Sequence, residues 1–421
     1  MKKETYNVVQ WSSGNVGKAS IIGINNRKDL NLSGLIVSDE NKIGMDAGAI
    51  IGIEELGVKA TNNIDEFLNA DLDIDCINYT PLASFRVNED PDLDKNNIIK
   101  ILKSGVNVVT TVGFLFPKAF GEDYLNEIEE ACKEGGVSLH GTGYNPGWLA
   151  ELVPLTMTGM SQEIKKIIVS ESSEFSYYPS KEIVIDGMLM GKTMEEYEVE
   201  AERYEAWLSG LFKEAIYLIA EGIGVEVLDV EEDLKLVTAE KDFEIAAGKI
   251  AKGTIAAQRR KWTGNCSNDV TIIQEAIYRA SEDSAPEWND PVGVTVDVEE
   301  DLKLVTADKD FEIAAGKIPK GTIAAQRRKW TGNCSNDVTI IQEAIYRASE
   351  DSAPEWNDPV GVTVEVEGVP QMKVSFSHDW NDDPLISTAM HGVNAIPYVC
   401  DAEPGFVSFL DLPLISLKVG S

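Results

Sequence analysis

No stretch of about 18 apolar residues, the length a bilayer-crossing helix needs, occurs in the 421-residue chain. The N-terminal MKKETYNVVQW carries two lysines but no apolar core of the signal-peptide kind. Export and membrane insertion are therefore not expected, and the chain is read as cytoplasmic. Cysteine is sparse: five residues, an odd number, with no CxxC spacing. That excludes a disulfide framework and a zinc site, so reduced thiols and no metal are expected. Basic residues are outnumbered, with 37 Lys and Arg against 71 Asp and Glu and a net charge of −34. Nucleic acid is excluded as a partner, because such binding needs a basic face to displace counterions. The acid excess reads as a solvated, self-repelling surface.

What is present suits two domains with real cores, since 43% of the residues are hydrophobic. Residues Tyr6 to Trp11 form a short apolar run into a glycine-containing turn, and apolar positions at Val16, Ala19 and Ile22 then repeat at helical spacing. The pattern predicts strand, phosphate loop, helix. Further strands are predicted over Leu32 to Ser38, Asp75 to Thr80, Val106 to Val112 and Val137 to Gly141, with helices over Asn96 to Ser104 and Tyr124 to Glu134. Such alternation specifies an α/β fold: a Rossmann-type, mostly parallel sheet covered on both faces, spanning residues 1–147.

Beyond Gly147 the character changes to an α+β second domain, 148–383, expected to bind substrate and to mediate homo-oligomerisation. It opens with a helical stretch from Trp148 to Met160 and a strand from Ile164 to Val169. An extended helix follows near Tyr204 to Ala220, then a strand from Met372 to Ser377. The tail, 384–421, is expected to pack back on the first domain, with a helix from Thr388 to Ala395 that stops before Pro397.

Residues 229–296 recur as 297–364, differing only at Glu240 against Asp308 and Ala251 against Pro319. One nearly undiverged pair is a tandem duplication of a strand-rich segment, not a solenoid of degenerate units. Each unit carries a hairpin signal, Ile255 to Trp262 and Val270 to Tyr278 flanking Thr263 to Asp269 in the first, around Gly332-Asn333 in the second. Trp262, Trp330 and the Arg-Arg-Lys runs before them are expected on strands with one exposed face. Both copies carry the same apolar pattern and compete for one place in the second domain. The displaced copy must extend that sheet, form a lobe of its own or stay partly disordered.

The turn Ser12-Ser13-Gly14-Asn15-Val16-Gly17 is a G-x-G-x-x-G pattern with serine at its first glycine. In that pattern the middle glycine lets backbone approach a pyrophosphate, the last lets helix and strand pack closely, and the helix N-terminus supplies amide donors. Gly14 and Gly17 fill these roles. If position 12 needs a positive φ, serine there costs about 1–2 kcal/mol. Asp39 stands where an acid contacts the adenosine ribose, while Ser38 and Lys42 beside it suit a 2′-phosphate, so NAD and NADP both remain open as cofactor. Thr80, Thr111 and Gly113, at the ends of later strands, complete the expected cofactor-binding set.

The runs VVQWSSGNVGKA, KIGMDAGAIIG and TTVGF resemble the N-terminal domain of dihydrodipicolinate reductase. HGTGYNPGW, ESSEFSYYPS, DFEIAAGKIPKGTIAAQ and TAMHGVNAIPYVCDAEPG resemble, more specifically, amine dehydrogenases of the 2,4-diaminopentanoate dehydrogenase type, over nearly the whole chain once one repeat copy is removed. The resemblance implies NAD(P)-dependent oxidation of the C4 amine of 2,4-diaminopentanoate to 2-amino-4-oxopentanoate and ammonia, as in ornithine degradation. The adjacent histidines and substrate-binding run of true dihydrodipicolinate reductases are missing, since His140, His378 and His391 stand apart. A related cyclic-imine reductase and a catalytically silent nucleotide-binding protein are the alternatives.

An amine dehydrogenase needs a base to take the ammonium proton and to activate water. His140, at the end of a strand, and His391, in an apolar helical stretch, are the histidine candidates. Glu171 and Glu174, with Tyr177 and Tyr178, are placed to meet a substrate ammonium group. Asn145 and Gly147, in a turn ahead of a helix, are placed to cradle its carboxylate.

Overall fold

The computed structural model describes residues 3–68, 72–84, 90–176, 181–281, 284–285 and 383–417, and between 298 and 376 the strands named below. The first sheet is built from β1 (Tyr6–Trp11), β2 (Leu30–Ile36), β3 (Ala60–Thr61), β4 (Cys76–Tyr79), β5 (Asn107–Thr110) and β6 (Ser138–Gly141). Around it lie α1 (Asn15–Asn25), α2 (Ala47–Ile51), α3 (Leu93–Lys103) and α4 (Glu122–Gly135). Together with a C-terminal strand, Gly405–Phe406, it forms seven parallel strands in which β1 lies between β2 and β4. Strand order therefore reverses at β1, the topological switch point beside which α/β proteins place ligands.

A second, mixed sheet follows. After α5 (Leu152–Thr158), β7 (Glu163–Glu174), α6 (Lys181–Val184) and α7 (Met194–Ile223) come β8 (Val227–Thr238), β9 (Phe243–Ile245), β10 (Gly248–Ile250), β11 (Ile255–Cys266) and β12 (Thr271–Arg279). The second repeat copy gives β13 (Val298–Thr306), β14 (Phe311–Ile313), β15 (Gly316–Ile318), β16 (Ile323–Asn333) and β17 (Thr339–Arg347), before β18 (Val362–Val369) and β19 (Met372–Phe376). The six-stranded sheet runs β19-β18-β7-β12-β11-β8, with β12 parallel to β7 and the other neighbours antiparallel.

Helix α7 is longer than its apolar pattern alone predicts. It starts at a capping box, in which Thr193 accepts from the Glu196 amide and Glu196 reaches back to the Thr193 amide, and it ends at Gly224 with φ 74°. Its apolar face covers β11 and β12, with Phe212 stacked on Trp262 at 4.2 Å between ring centroids. Trp262 and Arg260 are thus buried beneath the helix, while Arg259, Lys261, Thr263 and Asn265 alternate with them on the more accessible face, as expected of a strand with one exposed side. The hairpin between β11 and β12 is present, but its strands run further than predicted and leave only a short turn at Ser267–Asp269.

Two other expectations are corrected. The stretch from Trp148 is helical only from Leu152, because residues 144–151 are taken up by turns. The C-terminal helix α8 (Asp383–Cys400) runs through Pro397 instead of stopping before it. Proline removes one i→i−4 bond, but Val393, Ala395, Ile396 and Val399 are fully buried against the first sheet and α1, and this packing outweighs the loss. The four described cysteines, Cys76, Cys132, Cys266 and Cys400, are free thiols, and no described helix is long and apolar enough to cross a membrane.

The two repeat copies have one local structure and two different surroundings. Arg260 pairs with Leu234 and Gln258 with Tyr278 in the first; the matching residues Arg328 with Leu302 and Gln326 with Tyr346 pair in the second. The first copy's β8, β11 and β12 join the six-stranded sheet beside β7, whereas their counterparts β13, β16 and β17 form a separate three-stranded sheet, and the second copy reaches the large sheet only through the start of β18. The prediction is that deleting 229–296 or 297–364, which produce the same chain apart from the two differing positions, leaves a soluble folded protein. Its thermal stability should equal or exceed that of the full chain, with fewer sites of limited proteolysis. Loss of cooperative unfolding in both deletions would show that the duplication is integral to the structure.

Candidate active site

The phosphate-loop geometry begins with Gln10, a fully buried polar residue inside β1. Its amide nitrogen donates to the Trp11 and Ser12 carbonyls at 3.0 and 3.2 Å and to Thr80 Oγ1 at 2.8 Å, and its oxygen accepts from Asn78 at 2.7 Å. This network fixes the exit of β1 and holds Ser12 at φ 90°. Position 12 thus does adopt the left-handed backbone that glycine favours, and the Ser12 hydroxyl partly compensates by accepting from the Gly14 amide at 3.2 Å. A side chain at Gly17 would bring a Cβ to 2.2 Å from the Ser12 carbonyl oxygen, so helix and loop approach as closely as the pattern requires. At Gly14 a Cβ would meet only the Ser12 hydroxyl, at 3.6 Å, and otherwise open space. Asn15, Val16 and Gly17 form the first turn of α1, whose amides have no partner within the helix.

At the end of β2, Ser38 and Asp39 are exposed. Asp39 caps the following 3₁₀ turn, accepting from the Asn41 amide and side chain at 3.0 Å each. Lys42 reaches back to the loop, donating to Ser13 Oγ at 3.2 Å. The cation and the acid both stand at the adenosine end of the loop.

A cavity of about 310 Å³ opens at the carboxyl ends of β1, β4, β5 and β6 and is closed on its far side by the second sheet. Val16, Thr80, Thr111, Gly113 and Asn145 line it, so five of the predicted residues converge there. From the second sheet come Glu171 of β7 and Tyr278 of β12, with apolar walls from α7. Asn145 Nδ2 donates to Glu171 Oε2 at 2.8 Å, and the Tyr278 hydroxyl donates to the same oxygen at 3.4 Å. A carboxylate held by two donors on the wall of a largely apolar cavity can hold an ammonium group and take its proton.

The other catalytic candidates lie elsewhere. His140 is fully buried in β6 and outside the cavity lining; its Nδ1–H donates to the Val407 carbonyl at 2.7 Å and its ring meets Phe409 edge-on. Burial lowers its pKa to about 4. His391 stands one residue behind the wall, its Nδ1 within 2.6 Å of the Thr142 hydroxyl, and burial together with His140 lowers it to about 4 as well. Both imidazoles are therefore neutral near pH 7. Glu174 ends β7 opposite Arg279, but its side chain, like Tyr177, Tyr178 and His378, lies outside the described residues. The Gly147 amide does not await an anion, because it already donates to Glu151 Oε2 at 2.7 Å.

Glu151 and Glu214 are residues the sequence reading missed. Both are fully buried, and burial raises each pKa to about 8. Glu214 Oε1 accepts from the Phe116 amide at 3.0 Å. A signal was available: Glu214 sits on the apolar face of α7 between Leu211 and Leu218, and Glu151 interrupts the run Leu149-Ala150-Leu152-Val153.

No protein-family model matches the chain. In sequence it is 26% identical over 295 residues to an amine dehydrogenase of Streptomyces virginiae, covering 67% of this chain and 78% of that protein. It is 27% identical over 176 residues to a 2,4-diaminopentanoate dehydrogenase of Acetoanaerobium sticklandii, where the match covers 41% of this chain and 49% of the relative. Among solved structures, an amine dehydrogenase from Mycobacterium smegmatis superposes with a TM-score of 0.66 at 16% identity, over 98% of this chain and 97% of that one. The chain is therefore similar in sequence to amine dehydrogenases and has the fold of one of them along nearly its whole length.

Proposed function

We propose that the protein is an NAD(P)-dependent amine dehydrogenase, an oxidoreductase acting on a CH–NH2 group of a small molecule. The observation that carries this reading is Glu171, a carboxylate oriented by Asn145 and Tyr278 on the wall of a cavity that opens beside the phosphate loop. NAD or NADP fits the first sheet on the loop's own geometry: open space at Gly14, close packing at Gly17 and the first-turn amides of α1 for a pyrophosphate. Thr80, Thr111 and Gly113 line the way from that loop into the cavity, and Ser38, Asp39 and Lys42 stand at the adenosine end. When bound, the nicotinamide supplies a two-electron acceptor.

The chain's own residues supply the rest. Glu171 binds the substrate ammonium and accepts its proton, since only a neutral amine can expel hydride. The apolar walls from α7 and Met188 exclude bulk water and strengthen this charge pairing. Asn145 and Tyr278 keep the carboxylate aimed while it gains and loses the proton. The narrower reading, 2,4-diaminopentanoate as substrate, draws on the sequence likeness; among the described lining residues no lysine, arginine or histidine is present to pair with a substrate carboxylate. A panel of primary amines with and without a carboxylate, followed by nicotinamide absorbance, tests that reading.

Three variants test the proposal. Gly14→Val should fold and lose NADH and NADPH binding, because the branched side chain fills the space needed by the pyrophosphate; unchanged affinity would remove the cofactor assignment. Ser12→Gly relieves the left-handed serine and frees the Gly14 amide, so cofactor should bind up to about tenfold tighter, equivalent to roughly 1.4 kcal/mol. Weaker binding would mean that the hydroxyl itself contacts phosphate. Glu171→Gln should lower kcat/KM for amine oxidation by about 100-fold or more while cofactor still binds. Undiminished turnover in that variant would exclude Glu171 as the base.

A further inference from the structure

Two neighbouring loops wall the cavity, 113–116 after β5 and 145–147 after β6, and each is held by a buried glutamic acid through a single oxygen. Glu214 Oε1 accepts from the Phe116 amide and Glu151 Oε2 from the Gly147 amide. The remaining oxygens, Glu214 Oε2 and Glu151 Oε1, are buried without a hydrogen-bond partner. So are two further acceptors, Gln274 Oε1, whose amide nitrogen donates to the Ala150 carbonyl, and Asn145 Oδ1. A buried region with four unpartnered acceptors is short of donors, and an unpaired buried carboxylate is far costlier than a neutral acid.

We propose that Glu151 and Glu214 are positioning residues: a neutral acid pair that clamps both cavity loops and releases them when it ionises. Protonation supplies the missing donors and leaves each amide-accepting oxygen in place. Burial and mutual repulsion both favour the neutral form, each acid titrating near 8 instead of its ordinary 4.5.

Among the described residues no counter-charge acts on the pair. Against α7 lie Lys118, engaged with Glu221, Arg260 with Glu232, Arg259 with Glu275, Arg279 on β12, and the Tyr124 phenol, itself raised by burial and by Glu214. Against α5 lie Lys166 and Glu171 on β7. Tyr124 interacts with Glu214 but brings no positive charge, and none of the named cations acts on either acid, where burial, backbone amides and, at Glu151, repulsion from Glu214 operate. The sign follows: the folded state keeps protons that the unfolded chain gives up near its ordinary pKa, so stability declines between about pH 4.5 and about pH 8 and levels off above that.

This inference deepens the proposed amine oxidation by assigning what shapes its cavity, and its readouts need no turnover. In the full-length protein, hydrogen-exchange protection of the Phe116 and Gly147 amides, corrected for intrinsic rates, should fall between about pH 5 and about pH 8 and level off above that. In Glu214→Gln the decline should vanish at Phe116, and in Glu151→Gln at Gly147, because the amide oxygen accepts the same bond and cannot ionise. Protection independent of pH in the wild type, or the same decline in both variants, overturns the proposal. Should a variant fail to fold, the wild-type infrared spectrum decides. A protonated-carboxyl band present at about pH 7 and lost above about pH 8.5 supports the pair, and its absence at neutral pH refutes it.

Discussion

The hydrogen bond from Asn145 to Glu171, 2.8 Å long, joins the end of one sheet to a strand of the other, and the candidate site depends on it. The parallel sheet alone provides a nucleotide loop and a row of strand ends, with threonine hydroxyls but no acid. The mixed sheet alone provides a carboxylate with nothing to act upon. Asn145 lies in the turns that follow β6, and Glu171 lies on β7, the first strand laid down in the second sheet. The segment between β6 and β7 links the two sheets, and the amide–carboxylate contact joins them again at the cavity wall.

Helix α7 sets the depth of the same cavity. It can lie close to β11 because Gly264 has no side chain: a Cβ there would approach Ile216 to 2.5 Å. The close approach lets Phe212 stack on Trp262 and buries Arg260 with partners on both sides, Tyr197 of α7 at 2.7 Å and Glu232 of β8 at 3.5 Å. Two residues on from Phe212, on the other side of the same turn, Glu214 reaches the Phe116 amide of the loop after β5. Packing against one sheet and a hydrogen bond to the other are thus made within one turn, so displacement of α7 disturbs the cavity walls and the acid pair together.

How much of this was legible follows from which residues act locally. Gly14, Gly17 and the conformational burden on Ser12 could be read directly, because a phosphate loop is specified by neighbours within six positions. The alternation of strands and helices in the first sheet was legible for the same reason. Gln10 was not, since its role as the clamp of Ser12 and Thr80 requires β4 beside β1. His140 attracted a catalytic reading as a rare titratable residue at a strand end. It is buried away from the cavity lining, where the returning C-terminal segment brings the Val407 carbonyl to its ring, a contact 267 residues away in sequence. Tyr278, Glu151 and Glu214 acquire their roles only through the meeting of elements far apart in sequence, although two acids set in apolar runs were a visible anomaly.

The duplication separates local from long-range determinants within one molecule. Nearly identical sequence produces the same three-strand pairing in both copies, in matching register, so the hairpins and their partner strand are specified by the unit itself. Membership of the large sheet is not. β7 has two edges; β18 takes one and a single copy can take the other. With the first copy in place, the connection from β12 to β18 contains all but the last three residues of the second copy, yet lengthening such a closure about sixfold costs only roughly 1–2 kcal/mol in loop entropy. The unit also ends in Val294-Thr295-Val296, a repeat of the first residues of β18, Val362-Thr363-Val364. The second copy therefore enters β18 through a segment matching the first copy's own exit. What places the first copy beside β7 is its short connection from α7, whose covering face is already committed to Trp262, and not any residue that the second copy lacks.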